Sequence, residues 1–421
     1  MRIAVINTVF DRGGAARVMG GIVAAACAAG HRCLVAAARG DAAVVEAMCR
    51  GGVAAGRGGV AAGRGDVTTY RIEGRLGVLR NVVEARLRDN DGFLASRATR
   101  RLIARLEEWA PDVIHLHNLH GYYIDSRLLF DYIRCSGCRV VWTLHDCWSL
   151  TGHCARFTAI GCNGWESGCE RCGHTGEYPR CVTKGRPAWN FALKRLTFSG
   201  VERLRIVTPS EWLRRLVKRS HLGSYEVNVI PNGVDVERFK PRESEVKARL
   251  GIEGRTMLLS VASVWIKIKG IDDIVALAER LGDDYAMVMV GVDERLRQRL
   301  PGGIIALPRT SGEEELSELY TAADLLVNVS REETFGLTSL EALACGTPVL
   351  VYSNTAGPES VRGLDGDCGI VVDIGGGAEA VAAAIEGGKW REISAERCIA
   401  HAAKYAAGEV YSHYNALYEW R

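Results

Sequence analysis

Short apolar runs recur along this chain, and each is followed by a stretch patterned for a helix. They lie at residues 3–7, 113–116, 140–144, 206–209, 257–261, 286–290 and 325–329. Strands that alternate with helical segments are the pattern of parallel α/β sheets, whose strands are buried on both faces and read as continuous apolar runs. At 421 residues the chain is too long for one core, so two or three domains are expected. The strand runs fall into two sets, one ending near residue 200 and the other starting at about 205, with 230–235 (Ile-Pro-Asn-Gly-Val-Asp) as a turn-rich join. The expected division is a first domain over 1–200, with a cysteine-rich insertion at 147–181, and a second over 201–405. The closing stretch 406–421 carries Tyr411, Tyr414, Tyr418 and Trp420 at near-helical spacing, which predicts a helix packed back on the first domain.

Composition narrows the function classes. A net charge of +3 argues against a general nucleic-acid binder. No apolar run reaches membrane-spanning length. The opening Met1-Arg2-Ile3-Ala4-Val5-Ile6-Asn7 reads as a strand without a cleavage site, so a cytoplasmic protein is expected. Fourteen cysteines in a reducing compartment are expected as thiols or metal ligands rather than disulfides. The unit Arg-Gly-Gly-Val-Ala-Ala-Gly is duplicated over 50–65 and is expected to form a flexible surface loop. Residues 71–105 are rich in arginine with acids interspersed, which suggests a solvated helix face, or a weak contact with an anionic membrane surface.

The chemistry concentrates at strand ends. After the strand at 325–329 come Glu333-Thr334-Phe335-Gly336, then a helix-patterned run ended by Gly346 and Pro348. Glu333 falls in the loop and Glu341 about one turn into the helix. Backbone N–H groups at a helix start suit a phosphate, and two carboxylates can accept hydrogen bonds from sugar hydroxyls. Phosphate plus sugar suggests a nucleotide-sugar; a capped surface helix with two solvated glutamates is the plainer alternative. Lys267 and Lys269 precede Gly270 and another helix, where a lysine can neutralise a diphosphate. In the first half, Gly13 and Gly14 follow the first strand and allow close backbone approach to a ligand. His145 ends the run Trp142-Thr143-Leu144 and is expected at a ligand crevice. His115, His117 and His120 are expected as polar lining or as satisfied core histidines. Cys154, Cys162, Cys169 and Cys172 sit in a glycine-rich segment with few large aliphatics, where one structural Zn²⁺ would help hold shape.

Taken together, these motifs resemble the family 4 retaining glycosyltransferases of the GT-B fold, over nearly the whole chain. The resemblance rests on Gly13-Gly14, Thr143-Leu144-His145, Thr208-Pro209-Ser210-Glu211-Trp212, Ile230 to Asp235, Lys269-Gly270 and the Glu333/Glu341 pair. The stretch from His145 to Cys154 is similar to a subgroup from bacterial exopolysaccharide clusters, including colanic-acid-type enzymes. The resemblance implies two Rossmann-like parallel-sheet domains facing a central cleft, with the donor on the C-terminal domain. It implies a nucleotide-sugar donor, a saccharide or polyprenyl-linked acceptor, peripheral contact with the inner face of the membrane, and no catalytic metal. By motif match, Glu341 would hold the ribose and Glu333 a donor-sugar hydroxyl. Phe335 and Gly336 would lie against the sugar and diphosphate through their backbone, Lys269 would neutralise the diphosphate, and His145 would touch the transferred sugar. The family commonly has an arginine six residues before the lysine; here that position is Ser263, so Lys267 is expected to supply the second positive charge. Two rivals stand beside this reading: a GT-B sugar-nucleotide 2-epimerase, and a zinc-stabilised nucleotide-binding module without catalysis.

Overall fold

In the computed structural model, which describes residues 1–51, 66–363 and 366–420, the chain forms two compact units. The first comprises Met1–Pro231 and Gly408–Arg421, the second Asn232–Ala407. The first unit holds strands β1 (Arg2–Val9), β2 (Arg32–Arg39), β3 (Val67–Arg71), β4 (Val113–Leu116), β5 (Arg139–Thr143), β6 (Leu204–Thr208) and β7 (Glu226–Val229). They form one sheet in the order β3-β2-β1-β4-β5-β6-β7, with every pairing parallel.

The second unit repeats the scheme. Its strands are β8 (Thr256–Val261), β9 (Tyr285–Val290), β10 (Ile304–Leu307), β11 (Leu325–Asn328), β12 (Val349–Tyr352) and β13 (Gly369–Val372). The order is β10-β9-β8-β11-β12-β13, again all parallel. Helices cover both faces of this sheet, which explains the unbroken apolar runs. Met257, Leu259, Val288 and Leu326 pack on one side, and Leu258, Met287, Met289 and Leu325 on the other.

In both sheets the strand order reverses beside the unit's first strand, between β1 and β4 and between β8 and β11. The crevice outside the carboxyl ends at such a reversal is where doubly wound sheets bind ligands. The Gly-Gly turn and the histidines follow β1 and β4, while Lys269 and Glu333 follow β8 and β11.

The boundary expected near residue 200 lies instead at Pro231. The reason is strand pairing: β6 bonds to β5 and β7 to β6, so both complete the first sheet. The final helix, Ala407–Tyr418, packs on that sheet. Tyr414 receives a hydrogen bond from Thr143, and Tyr418 bonds to His115. Most of the duplicated 50–65 stretch lies outside the described residues. Among the described residues no helix is long and apolar enough to cross a membrane.

Candidate active site

The second unit brings Lys269, Glu333 and Gly336 together at the β8/β11 reversal. A pocket there is lined by Val261, Ala262, Trp265, Lys269, the β11 end from Leu326 to Ser330, and Thr338. Gly270, next to Lys269, packs against the strand end that lines it. It has φ +74°, and a Cβ there would meet the Val329 carbonyl at 2.1 Å. Only glycine lets the Lys267–Lys269 turn lie this close to the strand end. Gly336, at φ +95°, turns the chain into the helix Leu337–Ala344, whose first N–H groups have no acceptor within the helix. Helix dipole and unsatisfied donors together suit an anion at this end.

Lys269 Nζ donates to Glu333 Oε2 at 2.7 Å, and both side chains are partly exposed. A cation and an acceptor are therefore presented side by side. Glu341 is 2% exposed and receives a hydrogen bond from Tyr320 Oη at 3.0 Å. A carboxylate offers roughly four acceptor positions, enough for several donors at once. The Phe335 side chain is buried in the core, its ring 6.0 Å from that of Tyr405, which leaves its backbone as the part available to a ligand. Lys267 is exposed and lies outside the pocket lining.

Sequence reasoning missed Arg331, Asp273 and Tyr320. Arg331 holds Asp273 through a two-pronged ion pair, and its N–H donates to Ile268 of the lysine turn. The backbone of Arg331 thus braces the lysine turn while its guanidinium is taken up by Asp273. Nothing local signals a pair 58 residues apart. Asn328, which bonds to Ser339 and Ser330, could have been found as the polar last residue of a strand at the reversal.

In the first unit, Gly13 has φ +82° with open space where a Cβ would stand, and Gly14 begins the helix Gly14–Ala28. The histidines form a graded column. His115 is fully buried between Tyr418 and Thr143, so it is a core histidine. Its ring stacks on His117, which bonds through Nδ1 to Nε2 of the half-buried His145 at 2.8 Å. Burial pushes His115 down to about 3 and His145 down to about 4, and it holds His117 well below the usual histidine range. All three are therefore neutral near pH 7. One proton lies between His117 and His145, which fixes the His145 ring without charging it. His120 behaves differently. Burial works against its charged form, but the Asp146 carboxylate at 2.7 Å outweighs that and raises it.

The four cysteines expected to hold zinc come from one segment, but the ligand set does not come together. Among the described residues no group of three or more His, Cys, Asp or Glu side chains is placed to hold a metal ion. Cys169 Sγ instead accepts the Gly152 N–H at 3.2 Å, and burial raises the Cys154 thiol to about 12.

Comparison with known proteins agrees with this architecture. The family model described as Glycosyltransferase Family 4 matches residues 12–238, and that described as Glycosyl transferases group 1 matches 242–405. The chain is 27% identical over 304 residues to WcaC of Escherichia coli (strain K12), named as a colanic acid biosynthesis glycosyl transferase; the match covers 68% of this chain and 71% of WcaC. It is 32% identical over 167 residues to the D-inositol 3-phosphate glycosyltransferase of Actinosynnema mirum, covering 35% of this chain and 40% of that one. Among solved structures it is similar to sucrose-phosphate synthase from Thermosynechococcus elongatus, with TM-score 0.69, 15% identity and coverage of 99% and 98% of the two chains. Anabaena HepE in complex with UDP and glucose superposes with TM-score 0.66 at 15% identity, covering 99% and 98%.

Proposed function

The chain belongs to glycosyltransferase family 4 and is a glycosyltransferase, and we propose that it moves a sugar from a nucleotide-sugar to a saccharide or polyprenyl-linked saccharide acceptor. The observation that carries the donor class is the convergence of Lys269, Glu333 and a helix N-terminus at the second sheet's reversal, with Glu341 four residues into that helix. Lys269 and the helix N–H groups neutralise the diphosphate as it leaves. Glu333 accepts a hydroxyl of the donor sugar, and Glu341 holds the ribose. His145, neutral and fixed by His117, contacts the transferred sugar. HepE, a structural relative crystallised with UDP and glucose, supports a nucleotide-sugar donor.

Retention follows from a same-face route. The bond from the anomeric carbon to the diphosphate oxygen breaks, and the acceptor oxygen bonds to that carbon from the same side. The acceptor proton passes to the departing diphosphate oxygen, so no separate protein base is needed. Glu333 and Glu341 serve binding, unlike the carboxylate pair of a glycosidase. The protein's contribution is charge stabilisation and positioning.

The name of WcaC supports a place in exopolysaccharide or cell-surface glycan synthesis, and the same proposal puts the work in the cytoplasm at the inner face of the membrane. The test is a thermal-shift and turnover screen with UDP-, GDP- and ADP-sugars and a lipid-extract acceptor. Release of nucleoside diphosphate that depends on acceptor supports the reading. Absence of binding and turnover across the panel refutes it.

A further inference from the structure

The helix Arg75–Arg88 in the first unit turns an apolar face outward. Leu76, Leu79, Val83 and Leu87 are 83%, 60%, 53% and 54% exposed. At about 100° per residue they fall within an arc of roughly 80°. Val78, Asn81 and Ala85 are buried on the opposite side, so the packed face and the apolar stripe are separate. An outward stripe of four large aliphatics is unusual for a helix already docked through its other face.

Its surroundings are basic. The helix carries Arg75, Arg80, Arg86 and Arg88 against one acid, Glu84, which is engaged with Asn90 and Arg88. Arg75, Arg80, Arg86 and Arg88 are all exposed. A second segment extends the patch. Val182 N–H donates to the Arg86 carbonyl, and Arg186 Nε to the Arg88 carbonyl. This segment adds exposed Val182, Lys184 and Arg186, and a half-exposed Trp189 whose ring lies under the Arg186 guanidinium.

We propose that this face, the Leu76/Leu79/Val83/Leu87 stripe with its rim of arginines and Trp189, docks on an anionic lipid bilayer. Charge complementarity selects this occupant. A protein partner or a second copy would be served by the apolar stripe alone, whereas a rim of several cations with one engaged acid matches a surface of lipid phosphates. Leucine and valine enter the acyl boundary, tryptophan sits at headgroup level, and the guanidiniums remain among the phosphates. Docking in this way would hold the first unit at the bilayer, where a polyprenyl-linked acceptor resides. The contact is read without turnover, so it stands or falls apart from the assignment of donor and acceptor.

The experiment is co-sedimentation of the full chain with vesicles of equimolar phosphatidylglycerol and phosphatidylcholine, and with phosphatidylcholine alone. Wild type is expected to bind the anionic vesicles at least tenfold more tightly than the neutral ones, with binding falling as salt rises. The combined variant L76S/L79S/V83S/L87S is expected to lose at least tenfold in anionic-vesicle affinity while keeping the wild-type circular dichroism spectrum, because these side chains contribute little to the core. R80E/R86E is a second variant, expected to weaken anionic binding and to remove the salt dependence. Equal sedimentation with both vesicle types, or vesicle binding unchanged in both variants, overturns the proposal. So does a wild-type dimer in solution that becomes a monomer in the serine variant, which would make the stripe a subunit interface.

Discussion

Replacing Glu341 by glutamine tests the donor site most directly. The carboxylate is buried and accepts a hydrogen bond from Tyr320 at 3.0 Å. Two ribose hydroxyls donating to the remaining oxygen positions would each contribute about 1.5–3 kcal/mol, the range for a hydrogen bond to a charged group. Glutamine keeps the shape and one accepting oxygen, so the expected loss is about 1.4–3 kcal/mol, or roughly tenfold to a hundredfold in affinity. Isothermal titration with nucleoside diphosphates measures it. The Tyr320→Phe variant separates the two roles of the carboxylate. It removes only the Tyr320 hydroxyl, costing about 1 kcal/mol of stability and a few degrees in melting temperature, with a smaller effect on nucleotide affinity. If E341Q binds nucleotide as wild type does while circular dichroism reports an intact fold, Glu341 is a structural carboxylate and the ribose assignment is refuted.

Three further outcomes are expected. His145→Ala should lower kcat about a hundredfold, the scale of losing one positioned polar group, with donor affinity nearly unchanged and about 1–3 kcal/mol lost in stability because the buried His117 loses its partner; wild-type turnover would make His145 a core histidine like His115. Stability should fall on acidification, because His145 (about 4, against an ordinary 6.5) and His115 (about 3) are held neutral in the fold. Below 6.5 the unfolded chain binds protons that the folded chain refuses, so this contribution is complete above about pH 6.5 and is lost as pH falls through about 4; melting temperatures that stay flat over that window refute it. Metal analysis should find zinc well below one per chain, with no change in melting on chelation. One zinc per chain that is lost in Cys169→Ser would instead show Cys154, Cys162, Cys169 and Cys172 to be a ligand set.

The legible part of this protein was local. Unbroken apolar strands, the glycine before each candidate site helix, and two carboxylates eight positions apart all act within a few residues. Steric allowance and burial period impose themselves at that range, so 421 residues alone indicated paired parallel sheets and singled out the loop and helix after β11 for their two carboxylates. The pairings were decided only by the tertiary structure. β6 looks like any other strand and β7 carries no apolar run, and the pairing of β6 with β5 and of β7 with β6 sets the unit boundary at Pro231. The last helix returns to His115 across 303 residues, turning a candidate ligand-binding histidine into a core one. Lys269 meets Glu333 across 64 residues and Arg331 meets Asp273 across 58, so the charge state of the pocket depends on partners that no local pattern names. The cysteines show the converse: CxxC spacing suggests ligation, but among the described residues no three such side chains are placed to hold a metal ion, and Cys169 accepts the Gly152 N–H instead. Period and spacing report what a segment buries, whereas a side chain's partner depends on which distant segment packs against it, and that is settled by the packing of the whole core.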